Sequence, residues 1–167
     1  IPSSVTKIGI DVFSHCSELS QIVIPKNLNK IELAVFSDCI SLKKILFEKN
    51  SSLSRIGKYA FKNCYSMVQI TIPSSVTIIG DNSFEGCSVL EEVLFENPSS
   101  LYSIGAFAFK NCALLVKIKI PSSKVVIKSS AFDGCSSLDL VSNCIVFENN
   151  DNEFNEDDFI ESILTYE

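Results

Sequence analysis

Residues 67–87 read MVQITIPSSVTIIGDNSFEGC, one copy of the unit from which the chain is built. The step Ile70-Thr71-Ile72 has period 2, which places both isoleucines on one face of a short strand and Thr71 on the other. Pro73 follows at once, where a missing N–H and a fixed φ end the ladder. Phe84 and Cys87 stand three apart, a spacing that predicts a single helical or 3₁₀ turn on the opposite side.

Read outward from this stretch, the Phe/Cys pair recurs six times: Phe13/Cys16, Phe36/Cys39, Phe61/Cys64, Phe84/Cys87, Phe109/Cys112 and Phe132/Cys135. Successive phenylalanines are 23, 25, 23, 25 and 23 residues apart. A fixed period in this range defines a solenoid, whose coils bury their apolar faces only by stacking on one another. Other columns keep step, among them Leu42, Met67, Leu90 and Leu115, then Ile45, Ile70, Val93 and Ile118, then Ile31, Ile56, Ile79 and Ile104. Gly9, Gly57, Gly80 and Gly105 follow the last set and are expected to supply a tight bend, although Glu32 and Lys128 interrupt their column. Short coils turn through Ile-Pro at Pro25, Pro73 and Pro121. Long coils turn through Phe47-Glu48-Lys49-Asn50 and Phe95-Glu96-Asn97-Pro98.

One coil therefore reads L-x-x-I-x-I-P-x-x-V-x-x-I-G-x-x-A-F-x-x-C. This pattern resembles the BspA-like class of leucine-rich repeat, and the resemblance covers residues 1 to 147. The implied fold is a leucine-rich-repeat solenoid, an α/β repeat of six coils of 23 or 25 residues. It would carry a parallel β-sheet on one face, short helical or 3₁₀ turns on the other, and a C-terminal capping helix. The last repeat departs from the pattern at Lys124 and in residues 139–144, as terminal repeats do. Ile1-Pro2 aligns with Ile24-Pro25 in mid-coil, so residues 1–147 read as a solenoid truncated mid-repeat at its N-terminus.

Residues 148–167 form the second unit, an acidic capping helix or tail. They hold eight acids and no base, which leaves 12 acids against 14 bases in residues 1–147 and accounts for the overall charge of −6. Asn155 is placed to cap a helix starting at Glu156-Asp157-Asp158, with Phe159, Ile160, Ile163 and Leu164 as its apolar stripe. The run from Asp151 is not a calcium loop, because Glu156 and Ser162 occupy the positions that need glycine and glutamate. A nearly neutral solenoid with no basic stripe argues against a nucleic-acid partner. No apolar run approaches the roughly 18 residues that cross a bilayer.

The cysteines and the histidine argue against catalysis. Six of the seven cysteines share one column, and no C-x-x-C pair or histidine cluster offers a zinc site. Stacked coils lie about 4.8 Å apart, but side chains in one column project in parallel, which misaligns a disulfide. The column is expected to be free, buried thiols, with Cys144 outside it as the one exposed candidate. His15 belongs to a polar, variable column with Asp38, Asn63, Gly86, Asn111 and Gly134 and reads as an exposed turn residue. The sequence holds no nucleophile elbow, phosphate loop or H-E-x-x-H. No enzyme activity, metal site or cofactor is expected. The sequon Asn50-Ser51-Ser52 carries no weight in a chain rich in Asn and Ser.

The remaining candidate is the outward side of the strands. Its columns contain Gln21 and Val23, Lys44 and Leu46, Gln69 and Thr71, Glu92 and Leu94, and Lys117 and Lys119. Aliphatic residues on an otherwise polar sheet suit a protein ligand. By family resemblance the chain is expected to be a non-enzymatic protein-binding module of a cell-surface or extracellular protein, engaged in adhesion or host-protein interaction. The alternative is a cytoplasmic scaffold using the same surface, which unpaired cysteines would suit.

Overall fold

The computed structural model describes residues 1–122 and 124–138, together with the backbone of 145–147. The expected capping helix, the unit at 148–167 and Cys144 lie outside the described residues. Each coil is counted here from its phenylalanine, so that Phe13 opens coil 1 and Phe132 opens coil 6.

The I-x-I step forms a strand in every coil: β1 (Gln21–Ile24), β3 (Lys44–Phe47), β5 (Gln69–Ile72), β7 (Glu92–Phe95), β9 (Lys117–Ile120) and β11 (Ile145–Phe147). The x-I step before each bend forms a second set, which the sequence reading did not anticipate: β2 (Lys30–Ile31), β4 (Arg55–Ile56), β6 (Ile78–Ile79), β8 (Ser103–Ile104) and β10 (Val126–Ile127). All pairings are parallel and link a strand to its counterpart one coil away. The second set is one continuous ladder, β2-β4-β6-β8-β10.

The first set is interrupted. It divides into β1-β3 and β5-β7-β9-β11, with no ladder between β3 and β5. Coil length explains the break. Where a short coil precedes a long one, all four residues pair, from Gln21↔Lys44 to Ile24↔Phe47 and from Gln69↔Glu92 to Ile72↔Phe95. Where a long coil precedes a short one, β7 and β9 pair only at Glu92↔Lys117 and Val93↔Ile118. The two extra corner residues carry the end of the long strand away from its next neighbour. Phe47 and Phe95 are consequently half-buried, whereas Ile24, Ile72 and Ile120 are buried.

The turn side is not helical. None of the described residues lies in an α- or 3₁₀-helix. The period-3 signal corresponds to hydrogen-bonded turns, such as Cys87 N–H to the Phe84 carbonyl at 3.1 Å and Glu85 N–H to that of Asn82 at 3.2 Å. Two residues per coil, four apart, adopt positive φ and prevent helical propagation. They are Asp11/His15, Ala34/Asp38, Tyr59/Asn63, Asn82/Gly86, Phe107/Asn111 and Ser130/Gly134. Alternate N–H groups then point along the solenoid axis. Around Phe61, for example, Tyr59, Phe61 and Asn63 donate to the carbonyls of Asp81, Ser83 and Glu85, their equivalents one turn of the solenoid on. The backbone pairs between coils on this side as well, which a helix could not do.

The glycine column also has a different cause from the one expected. Gly57, Gly80 and Gly105 do not require positive φ. A Cβ on Gly80 would lie 2.8 Å from the backbone carbon of Gly57 and 2.9 Å from the Ile56 oxygen. Close approach of neighbouring coils requires glycine there.

The core lies between these three sides. Phe13, Phe36, Phe61, Phe84, Phe109 and Phe132 form one stack with centroids 5.1–5.4 Å apart. Phe36, Phe61, Phe84 and Phe109 are fully buried. The cysteine column runs beside them and is free of disulfides.

Candidate functional site

The strands place all ten predicted face residues on one surface. Gln21, Val23, Lys44, Leu46, Gln69, Thr71, Glu92, Lys117 and Lys119 are exposed, and Leu94 is half-buried. Their inward neighbours Ile22, Ile45, Ile70, Val93 and Ile118 are buried, so the period-2 reading gave the correct register. Pairing brings Gln21 beside Lys44, Val23 beside Leu46, Gln69 beside Glu92 and Thr71 beside Leu94. The gap between β3 and β5 separates the Lys44/Leu46 row from the Gln69/Thr71 row.

The surface extends beyond the strands. The residue immediately before each strand is exposed in Ser20, Lys43, Val68, Glu91 and Val116. Ile40, Tyr65 and Leu114 lie at the adjoining corner with 44 %, 47 % and 45 % of their surface exposed. Apart from Glu91, whose carboxylate pair with Glu92 reads as part of a solvated strand surface, the sequence reading missed these positions. Val68 and Val116 could have been found as aliphatic residues in a column that otherwise carries Ser, Lys and Glu.

Charge is distributed differently on the two sides. The turn side carries three ion pairs between coils: Lys62 Nζ lies 3.2 Å from Glu85 Oε2, Lys110 Nζ 3.1 Å from Asp133 Oδ2, and Lys128 Nζ 3.3 Å from Asp81 Oδ1. Lys58 and Lys62 also lie over the Tyr59 ring, and Lys110 over that of Phe107. On the strand side, the side chains of Lys43, Lys44, Glu91 and Glu92 make no ion pair or hydrogen bond among the described residues.

The titratable groups favour structure over catalysis. Burial pushes the Cys39 thiol up to about 11 and the Cys87 thiol up to about 12, and raises Cys64 far above its ordinary range. Such thiols remain protonated at neutral pH and cannot act as nucleophiles. Cys16 departs from the expectation of a wholly buried column, being half-buried. Its neighbour His15 is an exposed turn residue, with Nε2 4.0 Å from Asp38 Oδ2. Desolvation raises the Asp38 carboxyl, but hydrogen bonds from Asn63 and Ser37, with the charges of His15 and Lys62, bring it below its usual value. Among the described residues no group of three or more His, Cys, Asp or Glu is arranged to hold a metal ion. No helix among them is long and apolar enough to cross a membrane.

A parallel solenoid with a phenylalanine stack, a thiol column and a polar strand face defines a leucine-rich-repeat protein. The model for the BspA type leucine rich repeat region matches residues 1–97 and 54–166, six copies in all, and the chain belongs to that family. Among solved structures it is similar to a leucine-rich repeat protein of T. pallidum, at 28 % identity and a TM-score of 0.74, over 83 % of this chain and 65 % of that one. It is also similar to the pneumococcal vaccine antigen PcpA, at 30 % identity and a TM-score of 0.62, over 69 % of this chain and 28 % of that one. A leucine-rich repeat protein from Bacteroides ovatus matches at 29 % identity and a TM-score of 0.50, over 83 % and 52 %. The chain thus spans less than two thirds of the length of each of these proteins. No curated protein is significantly similar to it in sequence.

Proposed function

We propose that the chain is a non-enzymatic protein-binding module that engages a protein ligand through its strand-side face, as part of a cell-surface or extracellular protein that mediates adhesion or contact with host proteins. The observation that carries this reading is the contrast between the two sides. On the turn side Lys62, Lys110 and Lys128 are paired with Glu85, Asp133 and Asp81, while the strand side presents unpartnered charge around exposed Val23 and Leu46 and half-buried Leu94. Binding energy at such a surface concentrates in a few apolar positions, and flanking charge sets specificity. Similarity to a pneumococcal antigen supports the surface setting. In this reading residues 1–147 form the binding solenoid, and residues 148–167 are an acidic appendage that closes its end.

The free thiols favour a second reading, an intracellular scaffold using the same face, because they need no oxidising compartment. The test is binding of the purified chain to intact host cells and to an array of immobilised extracellular proteins. Leu46→Asp with Leu94→Asp should abolish binding while leaving the circular dichroism spectrum unchanged. Leu33→Asp is a matched control, since Leu33 is 40 % exposed, as Leu46 is at 41 %, but lies where the chain enters the turn side. Normal binding by the double variant, with loss in the control, would place the site on the other side. Absence of binding to any extracellular protein would favour the scaffold.

A further inference from the structure

Successive coils carry a charge pattern on the strand face that has a centre of symmetry in coil 3. Coil 2 presents Lys43, Lys44 and Leu46; coil 3 presents Val68, Gln69 and Thr71; coil 4 presents Glu91, Glu92 and Leu94. The two lysines and the two glutamates occupy equivalent positions two coils apart, roughly 10 Å along the axis. That distance is too long for a bond within the chain, and none of the four side chains has a charged or hydrogen-bonding partner among the described residues. Lys117 is the register neighbour of Glu92, yet the two form no ion pair.

We propose that this face pairs with a second copy of the chain, face to face, about a two-fold axis that runs along β5. The inference rests on the reading of the strand side as the binding surface and specifies the partner. Rotation about that axis reverses the order of the coils but keeps each residue's place along its strand. Lys43 and Lys44 then meet Glu91 and Glu92 of the second copy, and the reciprocal contact forms on the other side of the axis. Leu46 meets the second copy's Leu94. Val68, Gln69 and Thr71 meet their own equivalents, as an isologous interface requires. Further out, Gln21 faces Lys117 and Val23 faces Lys119, with no like charges opposed.

Other registers are electrostatically poorer. An axis along β3 sets lysine against lysine, and one along β7 sets glutamate against glutamate. An axis between β5 and β7 sets Lys44 against Lys117. Like charges opposed across an interface are repulsive. An axis between β3 and β5 brings no opposite charges together, and one between β7 and β9 joins only Glu92 to Lys117 and its reciprocal, whereas the β5 register joins four opposite pairs and opposes no like ones. The coils flanking the axis are held differently, by a full ladder between β5 and β7 and by none between β3 and β5, which offsets the two sides. Long, flexible lysine and glutamate side chains absorb that offset.

The experiment is sedimentation equilibrium on the full chain at salt from on the order of 20 mM to 0.5 M, a range across which screening of exposed charges changes most. The wild type should dimerise at low salt and dissociate as salt rises. K43E/K44E puts acids on both coils, and E91K/E92K puts bases on both. Each should weaken self-association by about tenfold or more. An equimolar mixture of the two variants should dimerise, and the quadruple exchange K43E/K44E/E91K/E92K should dimerise alone. If a reversed variant misfolds, K43Q/K44Q supplies the same test by weakening association without reversing charge. A wild type that stays monomeric at low salt, or dimers that persist in both reversed variants, overturns the proposal. If the chain is monomeric but L46D/L94D still abolishes binding to an extracellular protein, self-pairing falls while the binding-face reading stands.

Discussion

The thiol of Cys87 donates a hydrogen bond to the backbone carbonyl of Phe61, one coil back, at 3.1 Å. The contact repeats along the whole column: Cys39 to Phe13 at 3.0 Å, Cys64 to Phe36 at 3.3 Å, Cys112 to Phe84 at 3.2 Å and Cys135 to Phe109 at 3.1 Å. Each of these carbonyls already accepts from a backbone N–H of its own coil, as Phe61 does from Cys64 at 3.3 Å, and the thiol supplies its second bond from a small, nearly apolar donor. This explains why the position takes cysteine rather than alanine.

Burial makes these thiols sensitive to alkali. Cys39 and Cys87 are pushed up to about 11 and about 12 from an ordinary value of 9.0. Their protonated state therefore favours folding fully below pH 9, and the unfolded chain loses protons first above it. Stability should be flat in this respect up to about pH 9 and fall steadily as pH rises through 11 and 12. Urea melts at pH 8, 9.5 and 10.5 read this directly, and a midpoint independent of pH would contradict it. Thiol titration of native protein at pH 8 should find the five cysteines from Cys39 to Cys135 unreactive and half-buried Cys16 reactive. All seven thiols should react after unfolding.

The phenylalanine stack sets the largest single-residue effects. Phe84 is fully buried, with ring centroids 5.3 Å and 5.1 Å away in Phe61 and Phe109. Truncation leaves a cavity that stacked coils cannot close without disturbing both ladders. Phe84→Ala should therefore cost roughly 3–5 kcal/mol, against less for half-buried Phe13. Chemical denaturation of the two variants measures the difference, and a loss below about 1 kcal/mol for Phe84→Ala would show that the stack carries little of the stability.

Much of this architecture was legible because a solenoid writes its packing into columns. The period of Phe84 and its equivalents gave the coil, and Ile70-Thr71-Ile72 gave a strand and its register. The turn side was misread because F-x-x-C has the same period in a helix as in linked turns. What distinguishes them is positive φ at residues such as Tyr59 and Phe107, types that rarely adopt it and so give no warning. The second sheet was missed because two-residue strands are too short to show alternation. On the strand face the ten outward positions were legible. The flanking Lys43 and Val68 were not, since they precede the strands and belong to no period-2 pattern.

A corner contact joins long coils to short ones. Glu48 Oε2 accepts from the Lys26 N–H at 2.9 Å, and Oε1 accepts from Ser3 Oγ at 2.6 Å. Glu96 makes the equivalent contact with the Ser74 N–H at 3.0 Å, in each case the residue after the strand-ending proline. These bonds hold the Glu48 carboxyl below its ordinary value of 4.5. A depressed carboxyl favours folding above its unfolded value and loses that contribution as pH falls through its folded one. The melting temperature should accordingly fall on acidification below about pH 4.5, and Glu48→Gln should flatten that part of the profile. A variant whose acid profile matches the wild type would show that the corner contact does not contribute.

Gly86 combines two demands that can be separated. Its φ of +75° is strained for any residue with a Cβ, and an added Cβ would also collide with the side-chain amide oxygen of Asn63 one coil back. Gly134 stands in the same relation to Asn111, so glycine and asparagine alternate from Asn63 to Gly134 for a packing reason. The strain alone costs about 1–2 kcal/mol, and the collision adds to it. Gly86→Ala should therefore destabilise by more than 1 kcal/mol in the wild type, and by about 0.5–1 kcal/mol less when Asn63→Ala is already present. The comparison must be made within a double-mutant cycle, because Asn63→Ala by itself removes the hydrogen bond from Asn63 Nδ2 to Asp38 Oδ1 at 2.8 Å. Additive effects would show that backbone strain accounts for the whole cost and that the amide moves aside freely. A coupling of the expected size and sign would show that Asn63 and Gly86 are one packing unit, and the same cycle at Asn111 and Gly134 should reproduce it.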